Sequence, residues 1–352
     1  MRVFCTIKCG DIKMKDYYNK IKYFEQIEKI PSQIYYHYTS LEALYNIISS
    51  KTFRLTSLKS SNDKKELFYK PDMFLYDLEK IITKETDDKV KEYFKLVKKS
   101  IELNRTDFLK SCKAKTYPYA LCLSEKKDNL THWDRYASNC TGVCIGFNVS
   151  ALRVLMQRMT ISTYGIGVYD IGKVLYSLDQ KESVIRNSLL NILYLLCEQV
   201  SVIDHDIIHI IQKNGYAYAV SAYLQIAKFV KDKSFVDEDE VRLYHESGSI
   251  KDTTRLIEII KPVVELEMFQ NLKKNFEDFV TQLHLNEEKF YISSKGIRSY
   301  KELCLEKIWG SGTITEIMLG PMCIQNRNEL KHFLKANGLV GTKVSVSSVP
   351  IR

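Results

Sequence analysis

Proline and glycine are scarce: the 352-residue chain has 6 prolines and 14 glycines. That scarcity excludes long flexible linkers and predicts a compact body. Cysteine offers no framework either. None of the 9 cysteines forms a C-x-x-C pair, and the pairs Cys5/Cys9 and Cys140/Cys144 sit in apolar or turn-like stretches. An odd count with such spacing argues against a disulfide scaffold or a zinc site, and predicts reduced, buried thiols in the cytoplasm. Long apolar runs are missing. Met1–Lys15 lack an apolar core, so no secretory signal is expected. The most apolar stretch, Leu189–Val202, is interrupted by Asn191, Glu198 and Gln199, which predicts a core helix and no membrane span. Several catalytic signatures are absent too. Gly142–Gly146 lacks the glycine count and the lysine of a phosphate loop, and no G-x-S-x-G elbow occurs. His205 and His209 have the i, i+4 spacing of helix metal ligands, but no H-E-x-x-H glutamate or nearby third ligand accompanies them, so no metal is predicted.

What is present is an ordinary globular composition, 45% hydrophobic and 27% charged, on a chain long enough to bury a large core. The net charge of +9 permits a polyanionic partner, but the lysines are spread along helices among glutamates, the pattern of a solvated surface. The order of patterns predicts one α+β domain over 1–352 with a mixed or antiparallel central sheet. Helical elaborations are expected at 180–232, with a break at Gly215, and at 251–290, and an N-terminal helical extension at 1–30. Strands are expected at Ile34–Ser40, Phe53–Leu58, Tyr119–Ser124, Gly142–Phe147, Lys173–Tyr176, Asp237–Tyr244, Tyr300–Leu305, Thr313–Leu319 and Val344–Ser348. A charged helical hairpin is expected between Pro71 and Lys110.

The chain organises around its first strand. Ile34-Tyr35-Tyr36-His37-Tyr38-Thr39-Ser40 is β-favouring and ends on a hydroxyl pair, and Leu41–Ile48 continues with helical period. Thr39 and Glu42 have capping-box spacing, which places a helix N-terminus beside His37, Tyr38 and Thr39, a setting suited to an anion or a nucleotide. Late in the chain, Glu238-x-Glu240-x-Arg242 read as one strand puts two carboxylates and a guanidinium on one face. A simpler reading stays open for each of these: a buried, hydrogen-bonded histidine, an ion-pair ladder, and core filling by Trp133 and Tyr136.

Taken together, Tyr36–Ser40, Asn62-Asp63-x-x-Glu66, Ser124-Glu125, Trp133-x-x-Tyr136, Gly142–Phe147, Val174–Tyr176, Glu238-x-Glu240-x-Arg242, Ile314–Pro321 and Ser348–Arg352 resemble, in order, a bacterial domain-of-unknown-function family, the one numbered twenty-nine seventy-one. Lys64 stands where that family often has proline, and Val241 where it often has an aromatic. The family name supplies no activity. The order of parts is also similar to the ADP-ribosyltransferase superfamily, which implies NAD as substrate. On that resemblance His37 would bind the nicotinamide ribose, Tyr136 or Trp133 would stack on the nicotinamide, and Glu240 would stabilise an oxocarbenium-like transition state. Tyr38, Thr39, Asn62, Glu238 and Arg242 would complete the NAD site. The function it implies is an NAD-consuming intracellular toxin or phage-defence effector acting on a nucleic-acid or protein target. Two other readings remain: a non-catalytic module binding nucleic acid or a nucleotide, and a metal-dependent hydrolase using Asp63, Glu66 and Glu240.

Overall fold

Alternation of apolar and polar residues along short β-favouring segments sets the sheet. In the computed structural model, residues 34–60, 69–112, 117–152, 167–203, 207–247, 288–293, 296–310 and 312–351 are described. The expected extension at 1–30, the loop with Asn62, Asp63 and Glu66, His205, and 251–287 of the expected elaboration at 251–290 lie outside them.

The chain forms two compact units, each assembled from separated segments. One comprises Pro31–Lys64, Lys115–Val174 and Ser234–Arg352, the other Met1–Ile30, Lys65–Ala114 and Leu175–Lys233. The first unit holds the sheet: β1 (Ile34–Thr39), β2 (Thr52–Ser57), β3 (Tyr117–Ser124), β4 (Val143–Asn148), β5 (Gly167–Lys173), β6 (Glu240–Ser247), β7 (Lys289–Ser293), β8 (Gly296–Cys304), β9 (Ile314–Leu319) and β10 (Lys343–Val346). All pairings between these strands are antiparallel except β9 with β10, and with the helices this makes the expected α+β fold.

The sheet is split. β6 pairs with β3 along its whole length, from Tyr117↔Ser247 to Ser124↔Glu240. On the other edge of β3, β1 pairs only at Tyr36↔Ser124 and β2 only at Ala120 and Tyr119. One wing therefore runs β1-β4-β9-β10 and the other β2-β8-β7, and they part beside residues 121–123.

α1 (Leu41–Ser50) joins β1 to β2. Its cap is Ser40, whose hydroxyl accepts from Ala43 N at 3.0 Å; Thr39 stays in the strand, so the helix starts one residue later than the Thr39/Glu42 spacing implies. α1 buries Leu44, Ile47 and Ile48 on the sheet face formed by Tyr35, Phe53, Leu55, Leu121, Leu123, Ile145 and Leu243. α8 (Arg327–Ala336) covers the same face, with Phe333 stacked on Tyr45 at 5.5 Å. α5 (Leu130–Tyr136) lies between β3 and β4 in the chain.

The second unit contains α2 (Pro71–Lys84), α3 (Asp88–Leu103), α4 (Arg105–Cys112), α6 (Leu178–Ile203) and α7 (Ile207–Ala227). They share a core of Phe74, Leu78, Phe94, Val97, Ile185, Leu189 and Ile226. The expected strand at 173–176 lies earlier, as β5, where glycines at 167 and 172 obscure the pattern. Of the elaboration expected at 251–290, the described end, from Lys289, is strand β7 and not helix.

Gly215 does not break α7. It is the point where α7 meets α3: a Cβ there would lie 3.0 Å from Ser100 Cβ and 3.2 Å from Val97 Cα, and Ser100 Oγ accepts from Tyr216 N at 3.0 Å. Alanine would gain about 1 kcal/mol of helix propensity, but pushing two backbones apart in a packed core costs about 1–3 kcal/mol. Gly215→Ala is therefore expected to lower the melting temperature, measured by circular dichroism. A raised melting temperature would mean that the crossing is loose.

Candidate functional site

A strand edge that parts from its neighbour leaves backbone groups to be satisfied by other means. At the split, the Cys122 carbonyl accepts from His37 Nδ1 at 3.0 Å. A carbonyl can only accept, so Nδ1 carries the proton and the imidazole leaves Nε2 as an acceptor. Among the described residues Nε2 has no hydrogen-bond partner. Burial pushes the His37 pKa below its ordinary value, against the opposing effect of the Cys122 bond, so the ring is neutral near pH 7.

The split holds a cavity of about 600 Å³, within the usual size range of small-molecule sites. Because the sheet is open here, side chains from both faces reach it. His37 and Thr39 come from β1 and Asn46 and Ser50 from α1. Arg54 comes from β2, Cys122 from β3, Tyr291 from β7 and Glu302 from β8. Arg54 and Glu302 are cross-strand partners, but their charges do not meet. The Arg54 guanidinium lies over the rings of Tyr300 at 4.9 Å and Tyr291 at 5.6 Å, while Glu302 takes Lys289 Nζ at 2.7 Å. Among the described residues no carboxylate lies within ion-pair distance of Arg54.

The face opposite His37, from which Arg54 and Glu302 also project, carries most of the other sequence-derived candidates. Tyr36 pairs with Ser124 and Ser124 with Glu240, so these three project together and His37 projects the other way. The structure therefore does not bring His37 and Glu240 together. Glu240 and Arg242 are buried, 3% and 0% exposed, and Arg242 Nε donates to Glu240 Oε1 at 2.9 Å.

Glu238 does not belong to the strand, contrary to the alternation expected from the sequence. It ends a 3-10 turn, Lys233–Glu238, and Asp239 follows with a φ of 43°. Its carbonyl accepts from Ser124 Oγ at 2.8 Å, and its carboxylate takes the Tyr136 hydroxyl at 2.5 Å. Tyr136 and Glu238 therefore meet, as do Glu240 and Arg242.

Trp133 is fully buried and Tyr38 nearly so, their rings 4.9 Å apart and edge to face. Trp133 Nε1 donates to Asp128 at 2.8 Å, and Asp128 also accepts from the hydroxyls of Ser347 and Ser348 and from Ser348 N. Burial alone would raise the Asp128 pKa; these donors outweigh it and hold the carboxyl low. Glu316 binds Lys127 Nζ at 2.6 Å and the Tyr36 hydroxyl at 3.1 Å. Gly146 makes room for this group, since a Cβ there would sit 2.7 Å from Glu316 Cγ.

Of the residues singled out from sequence, His37 and Thr39 thus line the cavity. Tyr38, Trp133, Tyr136, Glu238, Glu240 and Arg242 form hydrogen-bonded or packed networks elsewhere, and Asn62 lies outside the described residues. Arg54, Glu302 and Tyr291 were not anticipated. Arg54 did leave a trace, a charge between the apolar Phe53 and Leu55 of a strand. Tyr291 fell just past the segment read as helix, and the pairing of Glu302 with Arg54 has no local signal. Among the described residues no group of His, Cys, Asp and Glu is arranged to hold a metal, and no helix is long and apolar enough to cross a membrane. Of the described cysteines, Cys112, Cys140 and Cys144 are buried as expected, and Cys122 is exposed.

Residues 132–243 match the family model described as "Protein of unknown function (DUF2971)", the family that the ordered motifs resemble. The match runs from α5 to β6 and leaves His37, Arg54 and Glu302 outside it. Comparison with curated proteins and with solved structures gives no match.

A histidine with a lowered pKa contributes stability that is complete above the unfolded value near 6.5 and is lost as the pH falls below it. The melting-temperature difference between the native protein and His37→Gln should therefore narrow between about pH 7 and pH 5. A difference independent of pH would show that His37 is not held neutral.

Proposed function

We propose that the protein binds a nucleotide in the cavity of the split sheet. The observation that carries this reading is the convergence of Arg54, which has no described carboxylate partner, with a neutral His37 and an aromatic ring in one small-molecule-sized space. A guanidinium held against tyrosine rings suits a phosphate. The Tyr291 ring offers a surface for a base. Thr39, Asn46 and Ser50 with His37 supply the donors and acceptors a ribose needs.

A second reading, NAD consumption with transfer of ADP-ribose, is favoured by one further observation. A carboxylate, Glu302, stands in the same cavity as His37, where it would face positive charge developing at a sugar carbon. In this reading Glu302 takes the part first assigned to Glu240. The net charge of +9 is compatible with a nucleic-acid target, and a protein target fits equally well.

The direct test is calorimetric titration with NAD, AMP and ATP, alongside NAD quantification in cell extract. Binding is expected to weaken about ten- to a hundredfold in Arg54→Gln, the worth of a charged hydrogen bond. A bound nucleotide should also protect Cys122 from alkylation, read by peptide mass spectrometry. If no nucleotide binds and alkylation is unaltered, the proposal fails. If NAD is consumed, Glu302→Gln should stop the loss and Glu240→Gln should do so only by unfolding the protein; the reverse pattern would exclude Glu302 from the chemistry.

A further inference from the structure

The charge inventory of the cavity limits what it can hold. Among the described lining residues the charged groups are Arg54 and Glu302. The Glu302 charge is already met by Lys289 at 2.7 Å; on the β7–β8 hairpin the register sets Lys289 against Tyr300, two residues before Glu302 on the same strand. His37, held neutral by burial, adds no charge. One guanidinium is left, fixed over Tyr300 and Tyr291. The rest of the wall is hydroxyl, amide and apolar: Thr39, Asn46, Ser50, Thr52 and Thr56 beside Ile47 and Phe53.

An anion enters a partly enclosed site at low cost when its charge is matched there, and each extra charge left unmatched loses its hydration without return. We infer that the ligand of this cavity is a nucleotide carrying a single net negative charge, a phosphodiester or a nucleotide whose own cationic ring offsets one of its phosphates. Cyclic mononucleotides and NAD⁺ meet this condition. Nucleoside triphosphates do not, and neither does NADH, which has nearly the shape of NAD⁺ but lacks the cationic ring. Glu302 sharpens the discrimination, because by holding the Lys289 charge it leaves no second cation for the additional phosphates that Arg54 cannot match.

This inference rests on the cavity being a nucleotide site, and the experiment separates the two. The full chain is titrated with cyclic AMP, NAD⁺, NADH and ATP at fixed ionic strength, and the same series is repeated with Glu302→Gln. The singly charged ligands, or whichever of them fits the base surface, are expected to bind at least about tenfold more tightly than ATP, and NAD⁺ more tightly than NADH. Glu302→Gln should reduce that preference for single charge. ATP binding as tightly as the best singly charged ligand, with Arg54→Gln still weakening it, would overturn the charge limit and leave the nucleotide site standing. No binding by any of the four would overturn both. A preference for single charge that is unchanged in Glu302→Gln would remove Glu302 from the selection and overturn its part in the inference.

Discussion

The hydrogen bond from His37 to the Cys122 carbonyl is the point on which the architecture turns. β3 has β6 along one edge, while its other edge is shared between two strands that touch it only near its ends. Where neither strand reaches, a side chain does what a strand would have done. That substitution holds the wings in place while leaving a space between them. It also fixes the imidazole tautomer, so the residue that closes the backbone ladder presents a defined acceptor on its other nitrogen. Structure and candidate chemistry meet in one side chain.

The polar residues divide by place and by task, those packed into networks and those at the split. On the face with Tyr36 and Tyr38, carboxylates are matched by named partners: Glu240 by Arg242, Glu238 by Tyr136, Glu316 by Lys127 and Tyr36. Groups so fully engaged are costly to disturb and poorly placed to meet a ligand. At the split, by contrast, Arg54 rests on aromatic rings and His37 retains an acceptor. A residue's readiness for function is better judged by what is left over after its internal contacts than by its chemical type.

The sequence made β1, α1, β3, β4 and β9 legible because each combines a strong period with clear end signals, and it made His37 visible as a strand-end histidine. It could not show the parting of β1 from β2. That depends on which residues of β3 each strand meets, a matter of register over dozens of residues. The same gap hid Glu302, whose importance comes from lying across from Arg54, and it made Glu240 look like a partner for His37. Period-two alternation correctly grouped Glu240 with Arg242 but wrongly included Glu238, because the left-handed turn at Asp239 lies between them. At Gly215 a residue that weakens helices locally was retained by a helix crossing, which propensity cannot anticipate.

Asp128 draws its donors from Trp133 a few residues away and from Ser347 and Ser348 near the other end of the chain. In the same way β4 stands between the first described strand and β9. The sheet unit is thus closed by contacts between residues 219 and 220 positions apart. Folds of that kind form slowly, and their unfinished sheet edges stay open to wrong partners while synthesis proceeds. For this protein the helical unit, two of whose segments, Lys65–Ala114 and Leu175–Lys233, lie between those of the sheet in sequence, can gather its own core while the sheet still waits for its later strands.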